Sequence, residues 1–254
     1  MTWPAHPEIC WGKPSEDNCA DFHDETCKGH PGKPCTGGFD MEGFRKSKIS
    51  DPYHIYFEKN RLWENITWLG VPMWKLPNDA MIIQEIIYET KPEAVIETGT
   101  GFGGSTLFYA SILKLMGGGK VLTIDVRDDF KKYKYLNMVD WVLPFIGSSI
   151  DPDMVKGISE LVEGRSTMVI LDSCHSEEHV SKELDLYSGL VSVGNYLIVE
   201  DTHVGGNPVE WECGKGPMEA VKKFLEKDKR FEVDKSREKL VMTFNPFGWL
   251  KRIS

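Results

Sequence analysis

Two short stretches gather acid and histidine at the end of apolar runs: Leu171-Asp172-Ser173-Cys174-His175 and Val199-Glu200-Asp201-Thr202-His203. The runs Met168 to Asp172 and Tyr196 to Glu200 read as strands, and in a parallel sheet their acidic ends fall on the same carboxyl edge. Three carboxylates placed side by side repel one another, and a divalent cation is the simplest relief. Magnesium accepts a few carboxylate oxygens and keeps waters that the hydroxyls of a substrate can replace. Such a cation also lowers the pKa of the hydroxyl it binds. Asp172, Glu200 and Asp201 are therefore the expected ligands of Mg2+ or another divalent cation. His175, with an unperturbed pKa of about 6.5, is the expected general base. The plainer alternative is that Asp172 and Asp201 cap the segments that follow their strands, although capping requires no such pair. His179 reads as a surface residue, His203 as a residue of the pocket or of the loop, and Cys174 as a packed thiol.

A second constellation lies upstream, Val95-Ile-Glu97-Thr98-Gly99-Thr-Gly101-Phe-Gly103-Gly104-Ser105. An apolar strand, a glycine turn and a helix beginning at Ser105 form the phosphate- and nucleotide-approaching geometry of open α/β sheets. Gly99, Gly101 and Gly104 formally match a dinucleotide fingerprint, a weak match by itself. Glu97 sits two positions before the first glycine, where an acid can help hold a methionine ammonium, and Asp125 ends the next strand, where an acid can accept both ribose hydroxyls. An acidic lining also suits a sulfonium cation better than a pyrophosphate. These details favour S-adenosylmethionine over a dinucleotide.

The elements that must position these residues follow in order. Residues 1–50 are rich in Gly, Pro, Asp and Lys without sustained period and read as an irregular arm. Within it Cys10, Cys19, Cys27 and Cys35 leave zinc binding, disulfides and free thiols open, because they lack Cys-x-x-Cys spacing. From 51 to 254 one domain is expected. Tyr53, Phe57, Leu62, Trp63 and Ile66 predict a helix ending at Gly70-Val71-Pro72. A second follows Pro77, with Asn78 or Asp79 as N-cap. Strands are expected at Ala94–Glu97, Val121–Asp125, Val142–Gly147 (an edge strand because of Pro144), Met168–Asp172 and Tyr196–Glu200. Helices intervene, near Ser105–Met116, in a polar segment up to about Asp140, near Asp151–Glu163 and near Ser176–Leu190. A loop from Thr202 to Gly216 carrying Trp211 is a candidate lid, followed by a helix at Pro217–Lys227. Phe231–Val233 and Leu240–Phe244 are expected to pair antiparallel. The alternation implies an α/β three-layer sandwich with a mostly parallel sheet and a C-terminal antiparallel hairpin.

Charge narrows the partners. With 30 basic against 39 acidic residues, a net charge of −9, a nucleic-acid backbone is not the expected partner. No apolar stretch is long enough to predict a transmembrane span, and the first residues do not read as a signal peptide. A cytoplasmic protein is the expectation.

Taken together these residues resemble the cephalosporin hydroxylase and rhamnosyl O-methyltransferase family, which includes macrolide sugar O-methyltransferases. The resemblance runs through Trp68-Leu-Gly-Val-Pro, Lys75-x-Pro77-x-Asp79, Ile96-Glu-Thr-Gly99, Gly103-Gly-Ser105, Gly147-Ser-Ser149, Leu171-Asp172-Ser-x-His175, Val199-Glu200-Asp201 and the ending Asn245-Pro-Phe-Gly248-Trp-Leu-Lys251-Arg. It implies a Rossmann-like class I methyltransferase fold with a seven-stranded sheet. It also implies S-adenosylmethionine bound by Glu97, Thr98, Gly99, Gly101, Gly103, Gly104, Ser105, Asp125 and Ser149, magnesium at Asp172, Glu200 and Asp201, and His175 as base. A homo-oligomer that methylates a hydroxyl of a sugar or glycosylated product is implied with them. The rivals are a catechol-type acceptor, an NAD-dependent oxidoreductase and a non-catalytic S-adenosylmethionine-binding subunit. The hydroxylase name finds no support, since two histidines and a carboxylate in an iron triad are not evident.

Overall fold

A computed structural model describes residues 49–132, 140–210 and 214–254. The cysteines of the N-terminal arm, the latter part of the polar segment before Asp140, and Trp211 of the candidate lid lie outside the described residues.

Helix α1 spans Ser50–Lys59 and is shorter than its apolar spacing predicts. Arg61 enters the left-handed region at φ 48° and Leu62–Asn65 form one 3-10 turn instead. A two-residue hairpin follows, β1 (Thr67–Trp68) against β2 (Val71–Pro72). Helix α2 spans Pro77–Thr90 with Pro77 preset for its first turn. Its N-cap is Leu76, without a side-chain bond. The expected cap Asp79 is instead buried, where its Oδ2 accepts the Phe244 N–H at 2.7 Å.

The sheet strands are β3 (Ala94–Thr98), β4 (Lys120–Asp125), β5 (Val142–Ile146), β6 (Thr167–Leu171), β7 (Tyr196–Val199), β8 (Phe231–Val233) and β9 (Trp249–Arg252). Between them run α3 (Gly104–Leu115), α4 (Pro152–Val162), α5 (Glu177–Tyr187) and α6 (Pro217–Lys227). The strand order is β5-β4-β3-β6-β7-β9-β8, with Pro144 on the edge strand as its missing N–H demands.

Alternate side chains feed two cores. Ile96, Leu122, Val169 and Leu197 pack under α4, α5 and α6. Val95, Val121, Met168 and Ile198 pack under Ile82, Ile83, Ile86 and Ile87 of α2 and Phe108, Tyr109 and Leu113 of α3. This is the expected three-layer arrangement, because a strand buried on both faces reads as a near-continuous apolar run.

The C-terminal pairing differs from the expectation. Phe231–Val233 pairs antiparallel with Trp249–Arg252, which also pairs antiparallel with β7. Leu240–Phe244 forms no strand. Val241 stands at φ 68°, outside the extended region, and the segment serves the site described below.

The register levels the strand ends. Thr98 stands opposite Ile124 and Leu171, and Leu171 opposite Val199. Gly99, Asp125, Asp172 and Glu200 therefore emerge side by side. The chain leaves β3 for β4 and β5 on one side and returns as β6 on the other, so the edge between β3 and β6 is the topological switch point, where α/β sheets bind ligands.

Candidate active site

One cavity of about 570 Å³ opens along that edge. Gly99, Thr100, Gly101 and Ser105 of the glycine turn line it together with Asp125, Gly147 and Ser149. Asp172, His175, Asp201 and His203 line it too, as do Glu58, Trp63 and Trp74 from the N-terminal elements.

The glycine turn is shaped by neighbouring backbone as much as by space for a ligand. A β-carbon on Gly99 would stand 1.9 Å from the Asp172 carbonyl oxygen, and one on Gly104 would stand 2.2 Å from that of Pro72. Gly103, at φ 87°, starts helix α3. Glu97 is buried beneath the turn, away from the cavity lining. It accepts hydrogen bonds from Ser105 Oγ at 2.5 Å, from Thr123 Oγ1 at 2.7 Å and from Thr106 Oγ1. Burial pushes its pKa up, to about 6, although these hydroxyls oppose the rise. Glu97 thus ties α3 to β3 and β4. Buried Thr98 lends its Oγ1 to the Asp172 N–H at 3.3 Å.

Asp125 does line the cavity. Its Oδ2 accepts the Gly101 N–H and its Oδ1 the Arg127 N–H, both at 2.9 Å. Each oxygen keeps a further lone pair for a hydroxyl donor. Ser149 Oγ lies 3.1 Å from His179 Nε2, which is 3.0 Å from Ser173 Oγ. His179, expected on the surface, therefore belongs to the cavity wall. Cys174 is exposed and lines the cavity as well, where a packed thiol was expected.

At the acidic edge, His175 Nε2 lies 3.6 Å from Asp172 Oδ1 and 3.5 Å from Asp201 Oδ2. Ligand atoms of the three side chains lie within 4.8 Å of one another. His175 Nε2 is buried without a hydrogen-bond partner. Two carboxylates converging on one point of the cavity fit a divalent cation held by Asp172 and Asp201, and the unpartnered Nε2 beside them is left to face whatever such a cation binds. Burial works to lower the His175 pKa, but Asp201 and Asp172 overcome it and raise it to about 9.

The structure sets Glu200 apart from this cluster. Lys75, 2% exposed, places its Nζ 3.0 Å from both Glu200 Oε1 and Asp172 Oδ2. The buried Glu200 carboxylate and the partly exposed Asp172 carboxylate share the buried Lys75 ammonium. Burial drives the Glu200 pKa up to about 8 against the pull of Lys75, whereas at Asp172 Lys75 and His175 outweigh burial and hold it below its usual value. Asp201 adopts φ 55°, and its N–H donates to Asn245 Oδ1 at 2.8 Å. His203 stacks on Phe244 with 4.2 Å between ring centroids. The segment Leu240–Phe244 and Asn245 after it thus buttress the acidic edge. Sequence reasoning missed Lys75, Glu58 and Asn245 as site residues. A lone cation inside the apolar run Val71-Pro-Met-Trp-Lys75-Leu-Pro77 was the available signal for Lys75.

The rhamnosyl O-methyltransferase/CmcI family matches residues 60–253. The rhamnosyl O-methyltransferase of Mycobacterium tuberculosis is 35% identical over 205 residues, 79% of this chain and 81% of that protein.

The chain belongs to this family.

The counterpart from Mycobacterium leprae is 34% identical and covers 80% of this chain and 90% of its own. An apo structure of CmcI superposes with a TM-score of 0.59 at 19% identity, over 75% of this chain and 77% of that one. A CmcI structure with Mg and SAM gives 0.58 at 18%, over 75% and 78%. The fold is the class I methyltransferase α/β sandwich, and the chain is an enzyme of the methyltransferase class.

Proposed function

We propose that this enzyme transfers a methyl group from S-adenosylmethionine to a hydroxyl of a sugar, with a divalent cation held at the acidic edge. The observation that carries this reading is the cluster of Asp172, His175 and Asp201 in the same cavity as the glycine turn and Asp125. Its relatives are named rhamnosyl O-methyltransferases, and one related structure contains Mg and SAM.

The chain's own residues divide the work. The backbone of Gly99 to Gly101 and the free lone pairs of Asp125 would seat the donor's ribose and methionine. Asp172 and Asp201 would hold the cation, with Glu200 set beside them on Lys75. A cation there supplies charge for orienting two neighbouring oxygens of the acceptor and lowering the pKa of one. His175 would take the proton from that hydroxyl at Nε2, the atom that has no other partner. Its raised pKa reflects two bare carboxylates, and compensating their charge returns the imidazole toward the neutral form a base needs. The remaining acceleration is positioning of donor and acceptor in one enclosed cavity.

The test is methyl transfer from labelled S-adenosylmethionine to a panel of rhamnosides, fucosides and catechols, with and without chelator. Chelation should abolish transfer, added magnesium should restore it, and Asp172→Ala should be inactive. Undiminished transfer after chelation, or full activity of Asp172→Ala, would sink the cation's role. Thermal stabilisation by NAD and none by S-adenosylmethionine would overturn the donor assignment.

A further inference from the structure

The wall of the cavity contributed by the chain before the sheet is not accounted for by donor or cation. Trp63 and Trp74 meet edge to face with 5.0 Å between centroids, and Trp74 meets Phe102 of the glycine turn in the same way at 4.9 Å. Trp74 remains 40% exposed and sits at φ 48°. A bulky residue in the left-handed region is strained, and such strain persists only where the surroundings hold it. The neighbouring Lys75 does the holding, because its ammonium is 3.0 Å from both Asp172 and Glu200. The exposed indole is thereby tied to the acidic edge.

Polar groups adjoin the rings. Glu58 Oε1 accepts the Trp63 Nε1–H at 3.1 Å, and Oε2 lies 3.8 Å from His203 Nε2. His203 Nδ1 is 3.1 Å from the Phe244 carbonyl oxygen, to which it donates, so Nε2 is the ring nitrogen turned toward Glu58. That Nε2 is buried with no hydrogen-bond partner. An indole face beside a carboxylate and an unpartnered imidazole nitrogen is complementary to a pyranose ring, which has an apolar C–H face and hydroxyls on its rim.

We propose that Glu58, Trp63, Trp74 and His203 form the acceptor subsite, the indoles covering the apolar face of a pyranoside while the Glu58 carboxylate accepts a hydrogen bond from a hydroxyl that is not methylated and His203 Nε2 hydrogen-bonds to the same rim. This rests on the reading of the enzyme as a sugar O-methyltransferase and assigns its acceptor side.

The experiment uses the full chain with S-adenosylmethionine, magnesium and methyl α-L-rhamnopyranoside as the probe, with adenosylhomocysteine binding measured by calorimetry. Trp74→Ala and Glu58→Gln should each raise KM for the rhamnoside about tenfold with kcat within about threefold of wild type, the size expected for one stacking or hydrogen-bond contact. Adenosylhomocysteine affinity should not change, and Trp74→Phe, which keeps an aromatic face and the fold, should recover most of the KM. Unaltered KM in Trp74→Ala and Glu58→Gln, with the wild type turning over, overturns the subsite and leaves the functional reading standing. Loss of adenosylhomocysteine binding in parallel with KM also overturns it, since the residues would then serve the donor or the fold. No wild-type turnover of any glycoside, with adenosylhomocysteine still bound, overturns both.

Discussion

Gly99 lies directly against the backbone of Asp172: a β-carbon at position 99 would stand 1.9 Å from the Asp172 carbonyl oxygen and 2.9 Å from the Ser173 α-carbon. The first glycine of the turn is thus a packing requirement of the acidic edge, and the two halves of the site are set by one contact.

Gly99→Ala should therefore damage both halves. The clash is with backbone, and φ of +86° is unfavourable to alanine, so a loss of about 2–4 kcal/mol of stability is expected. Urea unfolding should show it, and magnesium-dependent transfer should fall with it. An unchanged urea midpoint would mean that the turn yields more easily than its packing implies.

Lys75→Met removes the ammonium that Asp172 and Glu200 share, leaving Asp172 with His175 and Glu200 without its ion pair. Removing one partner of a buried ion pair typically costs about 3–5 kcal/mol. Thermal melts of the variant should be lowered, and magnesium chloride should recover more of the loss than it adds to the wild type. A magnesium response equal to that of the wild type would separate Lys75 from the cation site.

His175→Ala should lower methyl transfer by about 10²–10⁴-fold, the range for losing a general base. Adenosylhomocysteine affinity, measured by calorimetry, should stay within about twofold because the donor contacts proposed at Asp125 and the glycine turn are intact. A loss of turnover smaller than tenfold would remove His175 from the base role.

Two buried groups give stability opposite slopes with pH. Burial raises the Asp79 pKa from 3.8 to about 7, so the folded state holds a proton that the unfolded state releases. Its contribution is complete below pH 3.8 and is lost as pH rises through 7. Burial, reinforced by His203, lowers the His54 pKa from 6.5 to about 4, so stability is lost as pH falls from 6.5 through 4. Urea titrations should find Asp79→Asn gaining on the wild type between pH 5 and pH 8, and His54→Phe gaining on it between pH 7 and pH 4.5. Parallel pH profiles for variant and wild type would show that the group does not titrate as its burial implies.

Much of this protein is written in local pattern. Apolar runs of strand length, Pro77, Pro152 and Pro217 at helix starts and the glycines before α3 fix the alternation of strand and helix, because each signal acts within a few residues. The positions of Asp125, Asp172 and Glu200 at strand ends follow, since parallel strands in register bring their carboxyl ends to one edge. Pattern failed where partners are remote. Leu240–Phe244 has strand composition, yet Trp249–Arg252 takes the pairing and the earlier segment instead buttresses His203 and Asp201 through Phe244 and the adjoining Asn245. Glu97 reads as a donor contact, yet Ser105, Thr106 and Thr123 converge on it beneath the turn.

The sequence by itself determined the layer order, the glycine turn and which acids and histidine reach the edge. Only the tertiary structure decided what each acid faces. Lys75 and Asp172 are 97 positions apart, and no local period encodes that a buried ammonium will meet this carboxylate at the cavity edge. Their pairing is a product of burial. With water removed, every charge must find a partner at hydrogen-bond distance, and the fold alone sets which partner is there.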